Sequence, residues 1–262
     1  MRDRLVFSDV TVDMPIYDVK SRSLKHKFVI DKVTRLVSRT VPAVGGTVIH
    51  DQRGDVTVRA LDRVNFSAAD GDRVAIIGHN GAGKTTLLRV AAGIYEPTGG
   101  EVHSRGRVMP LFNIMEGMSA DASGIEMVKV RGTLLGMSAE EIEEKSAEIE
   151  EFCELGEYIN MPVRTYSTGM LVRLAFAITT AVASDILIMD EIIGAGDAAF
   201  LDRAEIRLRR FVEQSNLLLV ATHNKEIARQ WCNRAMLFQH GRLIESGSVD
   251  DTFSAYKRIA GG

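Results

Sequence analysis

Hydrophobic and polar positions alternate from Leu5 to Val12, and the β-branched residues among them predict a strand. Strand character returns over Asp55–Phe66, carried by Val56, Val58, Leu61, Val64 and Phe66. Between these two, from about Pro15 to Gly54, the pattern is polar, basic and poorly periodic, as in an elaborated loop. After an Asp70-Gly71 turn, Arg73–Gly78 reads as a short buried strand. Leu87, Leu88, Val90 and Ala91 then give Lys84–Ala92 the stripe of a helix packed on a sheet and ended by Gly93. Pro97-Thr-Gly-Gly100 marks a turn, with a strand to follow through Val102–Val108. Ser138-Ala-Glu-Glu141 has the form of a capping box, opening an acidic helix to about Phe152 with Ile142, Ile149 and Phe152 on its apolar side. Ser167 caps a further helix, Met170–Ala183. Ile186–Met189 and Leu217–Ala221 are uninterrupted apolar runs, the pattern of parallel strands covered on both faces, and a last core strand lies near Leu237–Phe238. Strands alternate with helices through the second half, so the core is α/β.

Composition excludes more than it assigns. The 262 residues are 45% hydrophobic and 26% charged with a net charge of −3, an ordinary globular balance without the basic excess that nucleic-acid binding requires. Cys153 and Cys232 lie far apart without paired spacing, so they read as buried thiols of a reducing compartment, not as a disulfide framework or zinc site. No apolar run follows the N-terminal Met1-Arg-Asp-Arg-Leu5 segment as it would in a signal peptide, and no stretch reaches the roughly 18–20 apolar residues of a membrane span. Any membrane role therefore runs through a partner.

The chemistry is concentrated in a few short segments. Gly78, His79, Asn80, Gly81, Ala82, Gly83, Lys84, Thr85 and Thr86 fit the phosphate-binding pattern G-x-x-x-x-G-K-[ST] between a strand and a helix. Glycines let backbone N–H groups wrap phosphate oxygens at a helix N-terminus; the lysine reaches the β- and γ-phosphates, and the Thr85 hydroxyl suits Mg²⁺. Ile186–Met189 ends in Asp190 and Glu191. A carboxylate at a buried strand end can hold the metal ion, and its neighbour can act as general base toward water. Two acids that only solvate a strand end are the bland alternative. Tyr166-Ser-Thr-Gly-Met170 puts Ser167 and the Gly169 N–H at a helix N-terminus. That is either a plain Ser cap or a second anion site, which a single chain needs only if it meets phosphate held by another copy.

With these motifs in place the chain resembles the ATPase subunit of ABC transporters, over about Leu5 to Ser254. Gly78–Thr86 matches that family's Walker A loop, Ile186–Glu191 its Walker B strand with the catalytic glutamate, and Ser167-Thr-Gly-Met170 its signature. Gly196-Asp197 falls at the D-loop and His223 at the switch histidine. The resemblance implies a P-loop NTPase (RecA-like) α/β core, about 71–112 and 184–262, with an antiparallel β subdomain and an inserted α-helical subdomain, about 113–183. Residues 1–70 hold the N-terminal β region and a basic insertion, and 1–262 form a single nucleotide-binding domain. It also implies ATP and Mg²⁺ as cofactors, Thr85 and Asp190 at the metal, and Glu191 and His223 in catalysis. By the same resemblance, a second copy of the chain is expected to close each ATP site, and two copies of a transmembrane permease subunit to hold the dimer at the cytoplasmic face of the inner membrane.

Departures from the common pattern narrow the subfamily. The signature Ser-Thr-Gly-Met, the segment Gly194–Phe200 and the basic insertion around Ser23–Lys27 resemble the exporters of O-antigen, capsular polysaccharide and teichoic acid, whose cargo is a lipid-linked glycan. Asn113 stands where a glutamine contacting the metal and water is expected, and Tyr17 is the candidate for adenine stacking, against a plain surface tyrosine. The run from Lys20 to Arg39 reads first as a solvated basic loop and alternatively as a surface for anionic headgroups. Met109, Met115, Met118, Met127 and Met137 suit an adaptable groove for a partner helix or, equally, core packing. The acidic run Glu140–Glu151 reads as a solvated helix face. With the last core strand near Leu237–Phe238 in a sequence of 262 residues, no C-terminal sugar-binding domain is expected.

Overall fold

A computed structural model describes residues 3–16, 47–50, 56–112, 114–190 and 198–260. The elements run β1 (Asp3–Ile16), β2 (Thr47–His50), β3 (Val56–Ala69), β4 (Arg73–Ile77), α1 (Lys84–Ala91), β5 (Gly99–Ser104) and β6 (Val108–Pro110). Next come α2 (Gly124–Leu134), α3 (Ala139–Cys153), α4 (Thr168–Ala181), β7 (Ile186–Asp190), α5 (Ala198–Gln214) and β8 (Leu217–Ala221). The last are α6 (Lys225–Trp231), β9 (Arg234–Gln239), β10 (Arg242–Gly247) and α7 (Val249–Ala260). The chain divides into two compact units.

One unit comprises Leu5–Ser67, Val74–His103 and Ala221–Gly262. It contains a sheet of strand order β2-β3-β1-β5, in which β2 lies antiparallel to β3 with Val48 opposite Val58. The buried positions of β1 are Leu5 and Phe7, then Val10 and Val12. The two-residue alternation slips by one at Asp9, whose φ of 53° and side-chain-bonded amide (2.8 Å to Asn65 Oδ1) mark a bulge-like break. Phe7 stacks on Phe66 at 4.5 Å, and Arg59 clamps both carboxylate oxygens of Asp13 at 2.8 and 2.9 Å. In the same unit β9 pairs antiparallel with β10 and parallel with β4, Ile77 opposite Leu237. Ala228 of α6 and Val249, Phe253 and Ala255 of α7 pack on Ala75, Ile77, Ala235 and Leu237.

The other unit comprises Met1–Arg4, Ala68–Arg73 and Ser104–Val220. Its strands lie in the order β8-β7-β6, with β6 parallel to β7 and Pro110 opposite Ile188. Ile186, Leu187 and Ile188 of β7 and Leu217, Leu218 and Leu219 of β8 are fully buried, which is why both segments are apolar throughout. Helices α2, α3 and α4 follow, two of them opened by capping boxes. Ser138 Oγ accepts from Glu141 N at 3.2 Å while Ser138 N donates to Glu141 at 2.7 Å, and Ser123 and Glu126 repeat the exchange at 3.2 and 2.8 Å. Those bonds hold the Glu126 carboxyl below its ordinary value.

The structure revises several expectations. The strand expected through Val102–Val108 is two strands, because the chain turns at Gly106 (φ 107°) and Arg107 N–H bonds the Asp185 carboxylate at 2.8 Å. The region expected to be loop from Pro15 to Gly54 contains β2. Cys153 is buried but Cys232 is only half-buried. Met109, Met127 and Met137 belong to the core, while Met115 and Met118 are half-buried. Most of the insertion, Lys20 to Arg39 included, lies outside the described residues.

Candidate functional site

The glycine loop begins where β4 ends. Gly78 has φ 151°, and a Cβ there would lie 2.3 Å from the Phe238 carbonyl oxygen. Gly83 is the N-cap of α1 at φ 104°, ψ 2°; its Cβ would lie 2.7 Å from Ala60 O. Only glycine fits both the backbone conformation and the space. Among the described residues no side chain caps α1, and a helix N-terminus is suited to an anion. Ala82 N–H donates to His79 O at 3.1 Å and Gly241 N–H to Ala82 O at 2.9 Å, fixing the loop against the β9–β10 turn. Lys84 Nζ donates to Gly78 O at 2.8 Å and His79 O at 3.0 Å, crossing the loop it helps to shape. Asn80, Gly81 and Thr85 are exposed, and Thr86 is half-buried. Leu87, Leu88, Val90 and Ala91 anchor the helix behind them.

His223 follows β8 in the same unit. Thr222 N–H donates to Ile76 O at 3.2 Å, so His223 leaves the sheet beside the strand end where the glycine loop starts. Its side chain is exposed, and Asn224 Oδ1 caps α6 through the Glu226 and Ile227 amides at 2.8 and 3.3 Å. In the other unit Asp190 closes β7, half-buried after four buried apolar residues. Leu111 N–H donates to Ile188 O at 2.7 Å, so the chain leaves β6 at the end of the sheet where Asp190 sits. Glu191, Asn113, Tyr17 and the segment Gly196-Asp197 lie outside the described residues.

Ser167 is the exposed N-cap of α4, with its Oγ accepting from Met170 N at 3.2 Å. The residue before it is fixed hard. Tyr166 is 8% exposed, its hydroxyl donates to Tyr158 O at 2.6 Å, and burial pushes that hydroxyl's pKa up. Gly169 behaves differently, since among the described residues a Cβ there would meet only Ser167 Oγ, at 3.9 Å. The cap explains Ser167; among the described residues nothing packed against position 169 explains a glycine there. Two features escaped sequence reasoning. The capping box Ser123–Glu126, written plainly in the sequence, announces α2, and the buried Arg131 on that helix carries no sequence signal beyond its apolar neighbours.

Donor chemistry fits a hard divalent ion: Thr85 offers a hydroxyl and Asp190 a carboxylate, the oxygen ligands that Mg²⁺ takes. Among the described residues no group of three or more His, Cys, Asp or Glu gathers as a metal cluster.

Residues 61–194, more than half of the chain, match the ABC transporter family. The chain belongs to that family, and its chemistry is ATP hydrolysis. It is 43% identical to the O-antigen export system ATP-binding protein RfbE of Yersinia enterocolitica over 92% of this chain and 96% of that one. It is 34% identical to the teichoic acids export ATP-binding protein TagH of Bacillus cereus, over 76% of this chain and 36% of that one. The fold is that of the dimeric ATP-binding cassette MJ0796 in its post-hydrolysis state with ADP and Pi, at a TM-score of 0.62 and 19% identity over 94% of this chain and 98% of that one.

Proposed function

We propose that this chain is the ATP-hydrolysing subunit of an exporter that moves a lipid-linked polysaccharide outward through a separate transmembrane subunit. The observation that carries this reading is the near end-to-end correspondence with an O-antigen export protein. The likeness to a teichoic acid export protein keeps a polyol-phosphate cargo as the second reading. The glycine loop, from Gly78 through His79, Asn80, Gly81, Ala82 and Gly83 to Thr86, wraps the phosphates with its amides. Lys84 exchanges its two carbonyl partners for the β- and γ-phosphates. Thr85 and Asp190 hold Mg²⁺, which when bound neutralises charge on the phosphates. Glu191 takes the proton from the attacking water, His223 orients that water against the γ-phosphate, and Asn113 reaches the same region in place of the expected glutamine. Tyr17 stacks on the adenine.

The second copy supplies Ser167 and Gly169. An unfilled glycine beside an N-terminal hydroxyl and amides leaves room for a phosphate carried on another surface. Two copies of the chain thus close over ATP at the cytoplasmic face of the membrane and drive two copies of the permease. Two experiments test this. Glu191→Gln is expected to retain ATP binding, accumulate as a closed dimer and lose about 10²–10⁴-fold in hydrolysis; hydrolysis at the native rate rejects the base. In cells lacking the chain, lipid-linked glycan is expected to build up inside, with export restored by the native protein and not by Lys84→Ala. Undiminished glycan at the surface of such cells rejects the cargo, and a retained polyol phosphate in its place selects the second reading.

A further inference from the structure

Arg131 is the one charged residue in the buried class among the described residues, at 5% exposure. Its guanidinium spans two elements. One nitrogen donates to the carbonyl oxygen of Ile114, and another reaches Thr179 Oγ1 of α4 at 3.4 Å, a hydroxyl that itself donates to Ala175 O at 2.7 Å. Four residues earlier on α2, Met127 Sδ accepts from Ser119 N at 3.3 Å. One face of α2 therefore holds both ends of the turn 114–119. Inside that turn Met118 N–H donates to Met115 O at 3.3 Å.

A methionine or leucine would fill this slot without stripping a cation of water. Burial indeed pushes the Arg131 guanidinium below its ordinary value, opposed by the Glu116 carboxylate. What an apolar residue lacks is a rigid planar fork able to fix a carbonyl on one element and a hydroxyl on another. Ile114 directly follows Asn113, and α4 starts at Ser167. We infer that Arg131 is a positioning residue for ATP hydrolysis, setting the turn after Asn113 against the helix that begins at Ser167. This rests on Asn113 facing the nucleotide, as proposed above.

The test uses the full chain with Mg-ATP, reading kcat, KM and amide hydrogen exchange over 112–119. Arg131→Met is expected to lower kcat by about tenfold or more, in line with the cost of small misplacements, with KM within about twofold. Exchange is expected to quicken over 112–119 and not over 84–91. Arg131→Lys, which keeps the charge but cannot span both acceptors, is expected to fall between Met and the native chain. Native kcat and exchange in folded Arg131→Met overturn the inference, as does Arg131→Lys that equals the native chain. A kcat that falls only with the folded fraction overturns it too. Should Arg131→Met fail to fold, Arg131→Lys decides alone. Asn113→Ala separates the two levels: if it loses activity while both Arg131 variants keep it, the inference fails and the reading of Asn113 stands. Native activity in Asn113→Ala rejects both.

Discussion

Lys84 and Gly169 stand at opposite ends of residue-level constraint. The Lys84 ammonium already satisfies two carbonyls of the loop, at 2.8 and 3.0 Å, so its charge shapes the loop as well as meeting phosphate. Lys84→Ala should therefore cut ATP hydrolysis by about 10²-fold or more in a chain that still melts cooperatively, because the helix behind it is anchored by Leu87 and Leu88. Gly169 meets no crowding among the described residues. Gly169→Ala should raise stability by about 0.5–1 kcal/mol, the ordinary helix preference for alanine, while lowering ATPase activity. Denaturant melts and initial rates on the same preparation check both signs, and a variant that gains stability and keeps full activity removes the argument for a phosphate approaching there. Cysteine chemistry gives an independent check on burial. Desolvation raises the Cys153 thiol, and the thiolate is the reacting form. Iodoacetamide at neutral pH should label the half-buried Cys232 well before Cys153, as peptide mass spectrometry would show.

At the level of elements, α3, α4 and α5 are joined by aromatic rings and arginines. Phe152, Phe176 and Phe200 meet pairwise with ring centroids 5.7–6.1 Å apart. Arg173 of α4 lies over the Phe200 ring at 5.2 Å and pairs with Glu154 at 3.4 Å; Arg207 of α5 lies over Phe152 at 4.5 Å, pairs with Glu148 at 3.0 Å and donates through Nε to Thr180 Oγ1 at 2.6 Å. Burial lowers the Arg207 guanidinium from its ordinary value, opposed by Glu148. Phe200→Ala should cost about 3–5 kcal/mol in chemical denaturation, the range for emptying a fully buried aromatic site, and a loss under about 1 kcal/mol would show that the helices do not depend on this cluster. Little of it was legible in the sequence. Phe152 showed its apolar period, but cation–ring pairs depend on how helices cross, which no local pattern records. Local signals fared better: the apolar runs of β7 and β8, the stripe of α1 and the Ser138 and Ser167 caps all appear in place. The break at Gly106 was missed because its cause, Asp185, is remote in sequence. β2 was missed because four residues pairing with β3 are too short to show a period.

For the molecule as a whole, the chemistry proposed here is split between copies: Lys84 and Thr85 on one, Ser167 and Gly169 on the other. The glycine loop and the strand that ends at Asp190 could be read from sequence because each signal is local, while Glu191 lies outside the described residues. The need for a second surface could be suspected from Tyr166–Met170, and it gains support from a glycine that nothing among the described residues requires. A cyclic two-fold pairing places one complete site at each end of a shared interface. The decisive measurement is ATP hydrolysis by mixtures of Lys84→Ala chains with Ser167→Arg chains, each folded and inactive alone. Random pairing gives heterodimers with one intact site each, so an equimolar mixture should recover about a quarter of the native rate if sites act independently. A mixture no more active than its two components, with heterodimers confirmed by native mass spectrometry, would contradict a site shared between copies.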